Sequence, residues 1–175
     1  MNDTIAAIST TMGIGAISII RVSGNEAIDI VDYVAAKIKA FDGLIIVTYD
    51  THDENYMNSL EGKYLPVPHC IKGSEGWKLN PKIQAALENK EYISVEKPTF
   101  GSVDLPQIIK QNTQVKSIEI CGLCSDICVV SNALLLKAHF HEVEISLDSK
   151  ACAGVTPQSH EAALNTMRMC QINVK

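Results

Sequence analysis

Residues 118–131, Ile-Glu-Ile-Cys-Gly-Leu-Cys-Ser-Asp-Ile-Cys-Val-Val-Ser, decide the fold. They read as a buried strand over 115–121, a sharp turn at Gly122-Leu123-Cys124, and a helix opening at Ser125. Ser is a favoured N-cap, and Asp126 adds a carboxylate to the first turn. Cys128 then falls about one turn into the helix. There, unpaired backbone N–H groups and the positive end of the helix dipole favour a thiolate. A strand–turn–helix that presents a nucleophile at the carboxyl edge of a parallel sheet is a recurring catalytic layout. Cys is also a common buried residue, and spacing alone leaves both readings open.

Working outward, strands and helices alternate. A helix is expected over 26–41, with Ile28, Val31, Val34, Ala35 and Ile38 at helical spacing, stopped by Asp42-Gly43. Residues 44–49 form a continuous apolar strand of the kind found in parallel sheets covered on both faces. Helices are expected over 77–89, 103–112 and 157–169, and strands over 93–97, 143–147 and 172–174. Residues 148–156 read as a loop. The pattern predicts an α/β fold with a mainly parallel sheet in a single domain over 1–175. At the front, residues 4–9 and 14–22 look like two strands. Gly13 and Gly15 are not followed by the rest of a phosphate-binding loop.

The 175 residues are 46% hydrophobic with a net charge of −5, which argues against a nucleic-acid surface. No apolar run reaches the roughly 18 residues a membrane span needs. The start lacks a basic stretch before its apolar residues, so no secretory signal is expected. Six Cys, scattered in apolar context, do not suit a disulfide framework. Cys121 and Cys124 form a C-x-x-C without the second pair a structural zinc would want. A reduced, cytoplasmic protein is expected.

Polar residues cluster at strand ends. The 44–49 strand closes in Asp50-Thr51-His52, where open α/β sheets bind ligands. The long irregular segment 53–76 adds Glu61 and His69, and loops of this length are usually functional. Asp50, His52, Glu61 and His69 make an oxygen–nitrogen donor set suited to zinc, manganese or iron. A polar loop with unrelated charges is the other reading. Lys97 closes the 93–97 strand. His139 and His141 are expected at the solvent side or a strand edge rather than on a metal.

From about residue 24 onward the chain resembles the isochorismatase-like cysteine hydrolases, and within them the nicotinamidases. The resemblance rests on Tyr49-Asp50-Thr51-His52, on Glu61, and on Pro68-His69-Cys70-Ile71-Lys72-Gly73. It rests also on Glu96-Lys97 with Phe100, and on residues 121–129. It implies a three-layer α/β/α fold and an amidase that hydrolyses nicotinamide, or a similar amide, through a thioester on Cys128. Lys97 would stabilise the thiolate. The backbone amides of Cys124 and Cys128 would form the oxyanion hole, beside a non-proline cis peptide at Leu123–Cys124. Asp50, His52, Glu61 and His69 would hold a divalent metal, zinc first, with manganese or iron as alternatives. That metal would bind the pyridine nitrogen. Phe100 and Leu123 would line the substrate. The resemblance further implies a place in NAD metabolism and leaves room for a homo-oligomer; no nucleic acid or membrane partner is expected.

The chain departs from the family at the front. Family members open with a strand ending in an Asp that takes the thiol proton, and here that position falls near Ser9. Serine is no base at neutral pH, and Asp3 comes several residues early. Residues 1–24 instead resemble the start of the tRNA-modification GTPases, without any of the GTPase domain. Such a chimera suggests an enzyme with impaired turnover, or a relative that binds a metal and a pyridine ligand without acting on it. A cysteine hydrolase of another small amide is a further alternative.

Overall fold

The computed structural model describes residues 27–175. The strands expected at 4–9 and 14–22, and Ser9 with them, lie outside the described residues.

Helix α1 (Ala27–Ala40) leads into β1 (Ile45–Asp50), followed by a 3-10 turn (Tyr56–Asn58) and the short α2 (Leu60–Tyr64) and α3 (Pro81–Leu87). Next come β2 (Tyr92–Lys97), α4 (Leu105–Asn112), β3 (Ser117–Leu123), a π-helical turn (Ser125–Val129) and α5 (Val130–His139). The chain closes with β4 (Glu144–Ala153), α6 (Pro157–Met169) and β5 (Asn173–Val174). Every strand pairing among the described residues is parallel, in two groups ordered β1-β2 and β3-β4-β5. Helix α1 packs on α3 and β4. Helix α4 packs on α5 and α5 on α6, and α5 and α6 also reach β4. This is the three-layer α/β/α arrangement.

Burial on both faces explains the apolar strands. Ile45, Ile46 and Val47 of β1 are fully buried, and one apolar cluster runs from Val31 to Ile172. Two carboxylates lie inside it, and both are paired. Lys37 reaches Glu119 and Asp148 at 2.7 Å each, Lys175 reaches Glu119 at 3.0 Å, and the Tyr33 hydroxyl donates to Asp148. Pairing of this kind is what allows charge in a core.

Three expectations need correction. Residues 77–80 are not helical: the Trp77 indole donates to Thr51 Oγ1 at 2.9 Å, and the helix begins only at Pro81, after Asn80 caps it. Residues 148–153 are strand rather than loop, because β4 continues past a register shift opposite Ile120–Gly122 to pair Cys152 with Gly122. Ser125 is not an N-cap. Cys124 holds that position, and no side chain caps the turn. His139 and His141 are exposed, as expected.

Because the strands run parallel, the carboxyl ends of β1, β2 and β3 (Asp50, Lys97 and Leu123) share one edge. Register makes Asp50 the direct neighbour of Lys97.

Candidate active site

Two groups of side chains meet at that edge, and Asp50 belongs to both. In the first, Lys97 is 1% exposed. Its Nζ donates to Asp50 Oδ1 at 3.2 Å, to the Thr99 carbonyl at 3.1 Å and to Cys128 Sγ at 3.6 Å. An ammonium removed from water needs such a set of acceptors. Cys128 is itself buried. Its thiol is raised to about 11: burial pushes it up most, Lys97 pulls it down, and the carboxylates of Asp50 and Glu61 add to the rise. The thiolate expected from the helix end is therefore opposed by desolvation, and Lys97 is the group that favours it.

Cys128 sits in the π-helical turn that follows β3. The Leu123–Cys124 peptide is cis, as the resemblance implied. The Cys124 carbonyl accepts from the amides of both Ile127 (3.1 Å) and Val129 (3.0 Å), which closes 124–129 into a compact ring. Leu123 is fully buried in a small cluster with Cys124, against Ile30, Ile127 and Ala153. Phe100 is exposed, and its carbonyl accepts from Asn132 Nδ2.

The second group is built around Asp50 Oδ2. His52 Nε2 lies 3.6 Å from it and 3.6 Å from Glu61 Oε1. His69 Nε2 lies 3.8 Å and 3.4 Å from the same two oxygens. The four donor atoms all fall within 4.8 Å of one another. Local structure explains the convergence. The His52 amide donates to the Cys70 carbonyl and the Lys72 amide to the His52 carbonyl, so a short parallel bridge lays the His69 segment beside the end of β1. Glu61 rides on α2, whose Ser59 N-cap accepts from the Gly62 amide.

The donor set fits a divalent cation. His52 Nε2 and Glu61 Oε1 are buried without a hydrogen-bond partner, which is costly unless something positive sits between them. His69 Nδ1 lies 3.0 Å from the Val67 carbonyl and must donate its proton there, which leaves Nε2 free to bind a metal. Two oxygens and two imidazole nitrogens suit zinc, manganese or iron.

Sequence reading missed three residues at this site. Tyr56 is 2% exposed, and its ring lies 4.7 Å from that of His52 and 4.8 Å from that of His69. Asn132 ties the segment after β2 to the nucleophile's turn: it accepts from the Ser102 amide and donates to the Phe100 and Cys128 carbonyls. A buried Asn four residues after Cys128 was a usable signal. The third is His160, whose Nδ1 lies 2.7 Å from Ser125 Oγ. Its partner is 35 residues away, so no local pattern pointed to it.

A family profile described as "Isochorismatase domain" matches residues 21–174. The uncharacterized isochorismatase family protein PncA of Bacillus subtilis (strain 168) is 28% identical over 128 residues, 69% of this chain and 68% of that protein. The crystal structure of nicotinamidase/pyrazinamidase PncA from Bacillus subtilis matches with a TM-score of 0.74 and 25% identity, covering 86% of each chain. That of the pyrazinamidase of Pyrococcus horikoshii in complex with zinc matches with a TM-score of 0.67 and 27% identity, covering 86% of this chain and 87% of that one. A short stretch is also similar to the tRNA modification GTPase MnmE of Lysinibacillus sphaericus. That stretch is 46% identical over 61 residues, 35% of this chain, which spans only 13% of that relative's length.

Proposed function

The chain belongs to the isochorismatase family, and from that premise we propose that it is a cysteine amidase of the nicotinamidase type, acting on nicotinamide or a close pyridine amide. The observation that carries this reading is the double use of Asp50. One oxygen meets the buried Lys97 that faces Cys128, and the other faces His52, Glu61 and His69. A carboxamide on a nitrogen heterocycle has its carbonyl carbon and its ring nitrogen a few ångströms apart, which such a paired site can engage together. Structural neighbours known as a nicotinamidase/pyrazinamidase and a pyrazinamidase, the latter in complex with zinc, support the same substrate class.

Cys128 is the nucleophile. Its sulfur bonds to the amide carbon, and the carbonyl oxygen takes up the negative charge. The backbone N–H groups of Cys124 and Cys128 are the donors assigned to that oxygen. Collapse of the adduct breaks the C–N bond, and ammonia leaves with the proton that the thiol gave up. Water then adds to the thioester, releasing the acid and returning the thiol. Lys97 stabilises the thiolate before it attacks and again as it leaves the thioester. Asp50, His52, Glu61 and His69 would hold the divalent ion, which supplies a Lewis acid that binds and orients the pyridine ring. Phe100 forms the aromatic rim. No helix among the described residues is long and apolar enough to cross a membrane.

A second reading is a weak or silent relative that binds such a ligand without turning it over. The thiol pushed up to about 11 favours it, as does a serine at the position where the family carries an Asp. Ammonia release from nicotinamide, with zinc or manganese added, separates the two. The parent chain is expected to release ammonia and Cys128→Ala to release none. Ser9→Asp is expected to be faster, since a positioned base is typically worth about 10²–10⁴-fold. A silent parent with an active Ser9→Asp assigns the defect to the missing carboxylate. Silence in both variants overturns the nicotinamide reading.

A further inference from the structure

We infer that His160, on α6, is a positioning residue for the oxyanion-binding turn and acts through Ser125. The inference rests on the reading of Cys124 and Cys128 as the donors to the developing oxyanion.

The ring of residues 124–129 is closed on itself by the two hydrogen bonds to the Cys124 carbonyl, so it moves as a unit. Its orientation against the rest of the protein must come from outside the ring. Two side chains in it reach outward to the segment that ends β4 and opens α6. Ser125 is fully buried and shares a 2.7 Å hydrogen bond with His160 Nδ1. Asp126 accepts from the Val155 amide with both carboxylate oxygens, at 3.0 and 3.3 Å. Gly154 lets the two segments meet. A Cβ there would stand 2.9 Å from His160 Cα and N and 3.0 Å from Asp126 Oδ2.

The first turn of α6 is rigid in its own right. Thr156 and Ser159 form a reciprocal capping box, Pro157 occupies the first turn, and the His160 amide donates to the Thr156 carbonyl. His160 therefore stands on a fixed support, and its imidazole holds Ser125, the residue that follows Cys124. A serine opening a helix ordinarily spends its hydroxyl on capping. Here that hydroxyl is turned sideways onto α6, which locks the rotation of the ring. The two N–H groups at Cys124 and Cys128, already spaced by the ring itself, are thereby held in one orientation. A misplacement of about 1 Å in such a site costs on the order of 10²-fold in rate.

The test separates acyl transfer, which builds an oxyanion, from alkylation, which does not. Acylation by 4-nitrophenyl acetate forms a bond from Cys128 Sγ to the acyl carbon and expels 4-nitrophenolate with the bonding pair. Alkylation by iodoacetamide forms a bond from Sγ to the methylene carbon and expels iodide. Both are followed at Cys128 by mass spectrometry in the full-length parent, His160→Leu and His160→Asn. Asn carries a hydrogen-bonding atom near the place of Nδ1, and Leu carries none. His160→Leu is expected to acylate about 10²-fold more slowly, with its alkylation slowed far less. His160→Asn is expected to recover most of the acylation. Equal acylation in parent and Leu variant overturns the inference, as does equal slowing of both reactions. A parent that alkylates without acylating also overturns it, since it has no working oxyanion turn. The ester does not call on nicotinamide recognition. A chain inactive on nicotinamide that still shows the split therefore loses the proposed substrate and keeps this role for His160.

Discussion

Asp50 and Lys97 are register partners in the β1–β2 ladder and also a buried ion pair, with Oδ1 3.2 Å from Nζ and no exposure of the lysine side chain. The strand pairing alone delivers the cation to the nucleophile. Removing one member of a buried pair leaves the other uncompensated, at a cost of about 3–5 kcal/mol. Lys97→Met is thus expected to lower unfolding free energy by that order in urea titration. It should also slow iodoacetamide at Cys128, because the one nearby influence that lowers the thiol is gone. Unchanged stability and unchanged alkylation would show that the pair has no electrostatic role.

The Cys128 thiol is raised to about 11, and two of the causes are the carboxylates of Asp50 and Glu61. Only the thiolate alkylates, so the rate should climb with pH toward that value. A divalent cation held by the same carboxylates cancels their charge. Zinc or manganese should therefore shift the rate–pH profile of Cys128 to lower pH, and a chelator should shift it back. A profile indifferent to the cation would be incompatible with binding at Asp50 and Glu61.

Gly62 follows Glu61 in α2. A Cβ there would overlap the Tyr56 carbonyl oxygen and lie 2.9 Å from Met57 Cα, all backbone that cannot swing aside. Gly62→Ala must displace α2 and carry Glu61 with it. Zinc affinity by calorimetry is expected to fall by about 10–100-fold, as it does when groups supporting a ligand are lost. Parent-like affinity would mean that Glu61 is not a ligand.

Burial also raises the thiols of Cys124 and Cys152, each to about 12. An unfolded thiol loses its proton near pH 8.5, whereas these hold theirs to about 11 or 12. Their contribution is complete below pH 8.5 and is lost as pH rises through the folded values. The decline is at most about 1.4 kcal/mol per pH unit for each thiol. Urea midpoints should drop steadily from pH 8.5 to 11, and a flat series would contradict buried neutral thiols.

Local chemistry made much of this legible. Apolar runs ending in a polar residue located Asp50 and Lys97, and the 118–131 stretch located the nucleophile. What stayed hidden depends on partners distant in sequence. Asp148-Ser149-Lys150 reads as a turn, yet Asp148 is held in a strand by Lys37 and Tyr33, more than 100 residues earlier. Trp77 looks like the start of a helix, but its indole is committed to Thr51. Ser125 has the composition of a cap and a tertiary use instead, through His160. In each case a side chain chose a remote partner over its own backbone.

The order of the site's residues along the chain has a consequence for how such a protein can change. The cation donors and Lys97 all belong to β1, β2 and the loop between them, whereas Cys128 and its turn belong to β3 and the helix after it. Recognition and acyl transfer therefore draw on different stretches of the chain, which meet at Lys97 and Asn132. Mutation confined to residues 53–76 can retune which ring is accepted while the nucleophile's own cradle is inherited unaltered.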